Sequence, residues 1–142
     1  MVVVGGGNAA LCSALSAAEN GASVTVLEVA PQAERGGNSA FTAGAMRVVY
    51  ESADDLRRLL PDLSAEEYKA TDFGSYPASR FYEDMGRVTE YRCDPDLVET
   101  LVTRSFETLQ WMQSVGVRFL PIYGRQAFKV DGRFKFWGGL VI

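Results

Sequence analysis

The chain has 142 residues, 47% of them hydrophobic and 23% charged, with a formal net charge of -4 and no histidine. That composition suits one globular domain and argues against a disordered tail. The missing imidazole excludes a Ser-His-Asp triad, a Cys-His dyad and a His-ligated zinc, and the mild acidity gives little basis for binding nucleic acid or an anionic membrane.

In chain order the sequence opens on strand, glycine turn, helix, strand. Val2–Val4 is a β-branched run, Gly5-Gly6-Gly7 a turn, Asn8–Asn20 a small-residue helix stopped by Gly21, and Val24–Leu27 a second strand. Apolar runs of this kind predict parallel strands buried on both faces. Residues 30–47 form a long Gly-, Ser- and Asn-rich loop, a length that calls for a function.

Helices follow over Asp54–Leu60 and Ser64–Met85. The second opens on a Ser64/Glu67 capping box and is interrupted by Gly74, Pro77 and Gly86. The clearest helix runs from Pro95 to Val115, with Asp94 as N-cap, Pro95 at the first turn and Gly116 as its stop. Its apolar stripe is Val98, Leu101, Val102, Ser105, Leu109 and Met112. Residues 117–122, VRFLPI, read as a strand, and AFKVDGRFKFW alternates around Asp131-Gly132, the signature of a type I′ hairpin.

The fold class is therefore α/β: an incomplete Rossmann-like βαβ domain with a helical stretch and a C-terminal β-hairpin. Residues 1–50 form the βαβ unit and a second loop, 51–116 a helical region of the same domain, and 117–142 the start of a further region. Cys12 and Cys93 are too far apart for a C-x-x-C site and read as buried free thiols in a reducing, cytoplasmic setting. No run has the length of a membrane span.

The chemistry is concentrated in the first unit. Gly5-x-Gly7-x-x-Ala10 between strand and helix fits a dinucleotide pyrophosphate. Gly5 makes the turn, Gly7 leaves room for the phosphates, Ala10 lets helix and strand approach, and the amides of Asn8 and Ala9 present the positive helix end. Glu28, at the end of the second strand, can accept hydrogen bonds from ribose hydroxyls and disfavours a 2′-phosphate. The competing reading is an ordinary βα turn with a solvated Glu28.

An NAD domain would continue into a helix and a third strand. Here GGNSAFTAGAM is small and polar, and long enough to run back under the cofactor, which favours FAD.

These segments, VVVGGGNAALCSAL, VTVLE and GGNSAFTAGAMR, resemble the amino-terminal part of the fumarate reductase and succinate dehydrogenase flavoprotein family. With the late WGGLVI they are most similar to its tricarballylate dehydrogenases. The resemblance implies an amino-terminal piece of a longer FAD-dependent oxidoreductase that acts on the CH–CH bond of a di- or tricarboxylate.

It also implies site roles. Gly5, Gly7 and Ala9 line the pyrophosphate and Glu28 holds the ribose. In the Gly37-Asn38-Ser39 segment, Asn38 and Ser39 bond the cofactor, while Gly44 and Ala45 lie against the isoalloxazine. Asn38 stands where covalently flavinylated members carry histidine, so FAD is expected to be non-covalent. The second residue of the usual glycine pair is Ala45.

The resemblance places the catalytic and carboxylate-binding residues beyond Ile142. Arg47, Arg125 and Arg133 read as surface charge, and no residue here is assigned a catalytic role. Trp111, Phe106, Tyr76, Tyr82 and Tyr91 read as packing residues. The implied partners are a small carboxylate substrate and an electron-acceptor protein, without membrane insertion. The alternatives are an NAD-binding dehydrogenase domain and a catalytically inactive nucleotide-binding fragment.

Overall fold

In the computed structural model the chain divides into two units, Met1–Ala45 and Met46–Ile142; residues 1–136, 139 and 142 are described. The Trp137 end of the expected hairpin and most of the WGGLVI segment lie outside the described residues.

The first unit is a βαβ motif. Strand β1 (Val2–Val4) pairs in parallel with β2 (Thr25–Leu27), Val3 opposite Val26, and helix α1 (Asn8–Glu19) connects them. Alanine-rich α1 ends where sequence predicts. Gly21 has φ +81°, its N–H donates to the Ala18 carbonyl at 2.9 Å, and the Ala22 N–H donates to Ala17 at 3.0 Å. This paired closure needs a left-handed residue, which glycine adopts without steric cost.

The expectation of strands buried on both faces is corrected. Val3 is buried, but Val2, Val4, Val26 and Leu27 are exposed and α1 has no buried residue. Two strands and one helix make too few layers to cover both faces of a sheet. The long loop is also more regular than expected: residues Gln32–Glu34 and Gly37–Phe41 each form a short 3₁₀ turn.

The second unit contains α2 (Ala53–Arg57), α3 (Ala65–Ala70), β3 (Thr71–Asp72), α4 (Ala78–Thr89), α5 (Pro95–Ser114), α6 (Tyr123–Gln126), β4 (Ala127–Val130) and β5 (Arg133–Phe136). The Ser64 capping box is present: Ser64 Oγ accepts from the Glu67 N–H at 3.2 Å and Glu67 Oε2 accepts from the Ser64 N–H at 2.9 Å. Asp94 caps α5 through the N–H groups of Asp96 and Leu97. The hairpin forms as expected, with Asp131 and Gly132 at φ +50° and +79° and Val130 opposite Arg133.

Three expectations for this unit are corrected. The helix expected over Ser64–Met85 is two helices, because Thr71 and Asp72 leave α3 to pair in parallel with Phe134 and Lys135 of β5. Gly86 does not interrupt α4: it is buried there, and a Cβ on it would lie 2.6 Å from the Tyr91 ring. Residues 117–122 are not a strand; Pro121 has no N–H for a ladder.

The β3–β5 pairing also ties the hairpin to the helices, so 46–142 is one unit with no division at 116. Its core includes Val48, Leu56, Leu59, Leu60, Phe73, Tyr76, Phe81, Val102 and Leu109, with Phe106 packed against it. Leu101 of the expected stripe is exposed, as are Tyr82 and Tyr91. Cys12 and Cys93 are free and half-buried. Among the described residues, no helix is long and apolar enough to cross a membrane.

Candidate functional site

The site is built from the turn between β1 and α1, the end of β2 and the 3₁₀ turn at Gly37–Phe41. Backbone directs each part. The Gly5 N–H donates to the Leu27 carbonyl at 2.7 Å, carrying the parallel pairing one residue past β1 before the chain turns. Gly7 is the N-cap of α1 in extended conformation, and its carbonyl accepts the first helical hydrogen bond from Leu11 at 3.0 Å. The N–H groups of Asn8, Ala9 and Ala10 therefore stand ahead of the helical ladder at the positive end of a 12-residue helix, and no acidic side chain occupies that first turn.

Space at the turn is limited. A Cβ on Gly7 would lie 3.3 Å from Ser39 Oγ and 3.4 Å from the Gly36 carbonyl, and one on Gly5 would lie 3.7 Å from the Ala10 Cβ. Ser39 Oγ accepts the Asn8 N–H at 3.0 Å, so the second loop returns to the start of α1 across 31 residues of sequence.

Glu28 follows β2 directly and is half-buried beside the same turn. Its Oε1 accepts the Ala30 N–H at 2.9 Å, and a Cβ on Gly6 would lie 2.5 Å from its Oε2. Hydrogen bonding from the Ala30 N–H, joined by the amides of Gly6, Val29 and Gly36, holds the Glu28 carboxyl below the usual carboxylate range against the opposing effect of burial. The group is an ionised acceptor at neutral pH.

The structure thus brings together Gly5, Gly7, Asn8, Glu28 and Ser39. Ala9 is exposed on the first turn of α1, and Gly37 and Asn38 are exposed on the 3₁₀ turn. Gly44 (φ +69°) has open space around its α-carbon, and the half-buried Ala45 donates its N–H to the Thr42 carbonyl at 3.1 Å.

Sequence reasoning missed Gly6 and Gly36. Both belong to glycine runs, GGG and GG, in which a two-glycine fingerprint leaves one member without a role. The extra glycine at each place was the available signal.

A turn that excludes side chains, a helix end free of acids and a carboxylate beside them fit a dinucleotide diphosphate approached by backbone. Comparison with known proteins identifies which dinucleotide. The model of the FAD binding domain family matches residues 1–136.

The chain belongs to the FAD binding domain family.

FAD is accordingly its cofactor, and the match does not favour the NAD-binding alternative. Relatives of this FAD binding domain include a fumarate reductase (cytochrome) of Shewanella frigidimarina, 30% identical over 116 residues that make up 82% of this chain and 17% of that protein. A digoxin reductase of Eggerthella lenta is 31% identical over 116 residues, 82% of this chain and 18% of that protein. The chain spans less than a fifth of the length of the curated relatives it matches. No solved structure gives a significant match.

Proposed function

We propose that this chain is the FAD-holding part of a flavin-dependent oxidoreductase acting on the CH–CH bond of a di- or tricarboxylate, of fumarate or tricarballylate type. The observation that carries the cofactor part is the Asn8 N–H to Ser39 Oγ hydrogen bond at 3.0 Å, which joins the second loop to the diphosphate turn. A βα turn alone would serve several nucleotides; a loop returning to it suits an extended cofactor clamped twice. The reaction class rests on the resemblance to fumarate reductases, supported by the Shewanella relative.

In this reading the backbone of Gly5, Gly7, Asn8 and Ala9 binds the diphosphate and the ionised Glu28 accepts the ribose hydroxyls. Gly37, Asn38 and Ser39 form the second clamp, and Gly44 with Ala45 flanks the ring system. Bound FAD supplies hydride acceptance or donation at flavin N5. With Asn38 in place of a histidine, the cofactor is held non-covalently. In the Rossmann-like reading, further strands cover the exposed apolar faces of β1 and β2.

Two of the three arginines named from the sequence are engaged within this chain's own structure. The Arg133 Nη2 donates to the Thr71 carbonyl at 3.0 Å, and the Arg47 guanidinium lies 4.9 Å from the Tyr76 ring centroid. On the family resemblance, the groups that bind the substrate carboxylates and the proton donor are assigned to other segments of the intact protein. An electron-acceptor protein and a cytoplasmic location complete the proposal.

The test is the purified chain incubated with FAD. A yellow protein that releases unmodified flavin on acid treatment is expected, with neither tricarballylate-dependent dye reduction nor fumarate-dependent oxidation of a reduced dye. Colourless protein stabilised against unfolding by NAD and not by FAD would overturn the reading.

A further inference from the structure

We propose that Asn20-Gly21, at the C-terminal end of α1, is a gated deamidation site: the closed helix end keeps it slow, and conversion after opening locks that end open. The device does not depend on which cofactor the first turn holds.

Of the three asparagines, Asn20 alone precedes glycine. An Asn-Gly pair can cyclise because glycine has no side chain to shield its nitrogen. In that step the Gly21 nitrogen gives its proton to hydroxide and bonds to the Asn20 Cγ, the Cγ–Nδ2 bond breaks and ammonia leaves. Water then opens the five-membered imide at either carbonyl, giving aspartate, or isoaspartate with the chain rerouted through Cβ. The surroundings leave the pair open to this chemistry. Asn20 and Gly21 are exposed, and nothing among the described residues lies within 4 Å of where a Gly21 Cβ would stand.

Conformation closes what solvent leaves open. The Gly21 N–H is held by the Ala18 carbonyl at 2.9 Å, and Asn20 Nδ2 donates to the Ser16 carbonyl at 2.8 Å, which draws the carboxamide back along α1. The imide ring closes only when the attacking nitrogen lies nearly eclipsed with the Asn20 Cβ, and at ψ 18° the Cα–C bond of Asn20 is turned far from this. The reaction therefore needs the last turn of α1 to open. No residue of α1 is buried, so this opening is local and costs less than global unfolding.

Reclosing does not reverse the conversion. Isoaspartate lengthens the backbone and puts the Gly21 and Ala22 N–H groups out of register with the Ala18 and Ala17 carbonyls that now accept them. Either product also places a carboxylate at the negative end of the helix.

The experiment incubates the full chain, the same chain in guanidinium chloride and the Ala18→Gly variant at mildly alkaline pH, and follows Asn20 by peptide mapping with mass spectrometry. Asn20 is expected to convert before Asn8 and Asn38, and about tenfold or more faster in denaturant than in the native chain. Ala18→Gly weakens the last turn outside the reacting pair and should speed native conversion about two- to fivefold. The converted chain, separated by ion exchange, should lose hydrogen-exchange protection at Gly21 and Ala22.

Equal rates in the native and denatured chain would overturn the gate, as would a native rate that Ala18→Gly leaves unchanged. No conversion in denaturant would overturn the site itself, and protection retained at Gly21 and Ala22 after conversion would overturn the lock.

Discussion

The two units of this chain are held together differently. In Met46–Ile142, 14 hydrophobic residues among those described form one buried cluster, with Tyr50, Leu56, Leu59 and Tyr76 almost wholly excluded from solvent. In Met1–Ala45, Val3 is the buried hydrophobic residue among those described, while Val4 is 82% exposed and Val29 100%. Yet the less buried unit carries the proposed cofactor cradle. Its geometry comes from glycine conformations, one helix terminus and a few hydrogen bonds that join the turn to β2 and to the second loop, and these need little core. The difference teaches that the binding turn and the stability of the chain draw on separate physical sources.

The sharpest way to break that comparison is to separate the units. Residues 46–142 alone are expected to unfold cooperatively in urea, followed by circular dichroism, whereas residues 1–45 alone should show no cooperative transition without FAD. A cooperative transition in the smaller piece would show that its exposed strands are self-sufficient.

Within the second unit, Leu59→Ala removes a fully buried side chain and should lower the free energy of unfolding by about 3 kcal/mol. FAD affinity under native conditions should be unchanged. A parallel loss of FAD affinity would show that the two sources of order are one.

Tyr76 adds a pH test. Burial, then its hydrogen bond to Asp84 at 2.6 Å, pushes its hydroxyl up to about 12 from an ordinary value of 10.0. The folded state therefore resists ionisation: the contribution is full below pH 10.0 and is lost as pH rises through the window up to about 12, a loss of up to a few kcal/mol. Urea midpoints across that range should fall in wild type and fall less in Tyr76→Phe.

In the first unit the expected effect is on binding. Gly6→Ala would place a Cβ 2.5 Å from Glu28 Oε2, and the flexible carboxylate would move aside. The fold should survive, with FAD affinity reduced about tenfold, read by fluorescence titration. Unchanged affinity would remove Glu28 from the site. The smallest effect is Ser64→Ala, which deletes the α3 cap and should cost about 1 kcal/mol without touching FAD binding.

Much of this was legible in the chain itself. The Gly21 and Gly116 helix stops, the Ser64 and Asp94 caps and the Asp131-Gly132 hairpin depend on residues within a few positions of one another, so local sequence carries them, and the order strand, glycine turn, helix, strand gives the βαβ unit. The candidate site was legible to the same extent: Gly5, Gly7 and Asn8 follow from the turn, and Glu28 from its place at the strand end. Gly6 and Gly36 were not, because their roles depend on what lies opposite, Glu28 in one case and Gly7 in the other.

By itself, then, the sequence determined the helix ends, the turn types and a glycine turn suited to a diphosphate, since conformational preference and hydrogen-bond supply act over short separations. Tertiary structure decided the rest. Thr71 and Asp72 became a strand because β5 offered them a partner more than 60 residues away, and hydrophobic Val2, Val4 and Val29 stayed exposed because no second layer in their unit covers them. Ser39 reached the start of α1 because the loop folded back on the turn. Burial and long-range pairing belong to the assembled chain, and no local pattern encodes which distant surface will be present to supply them.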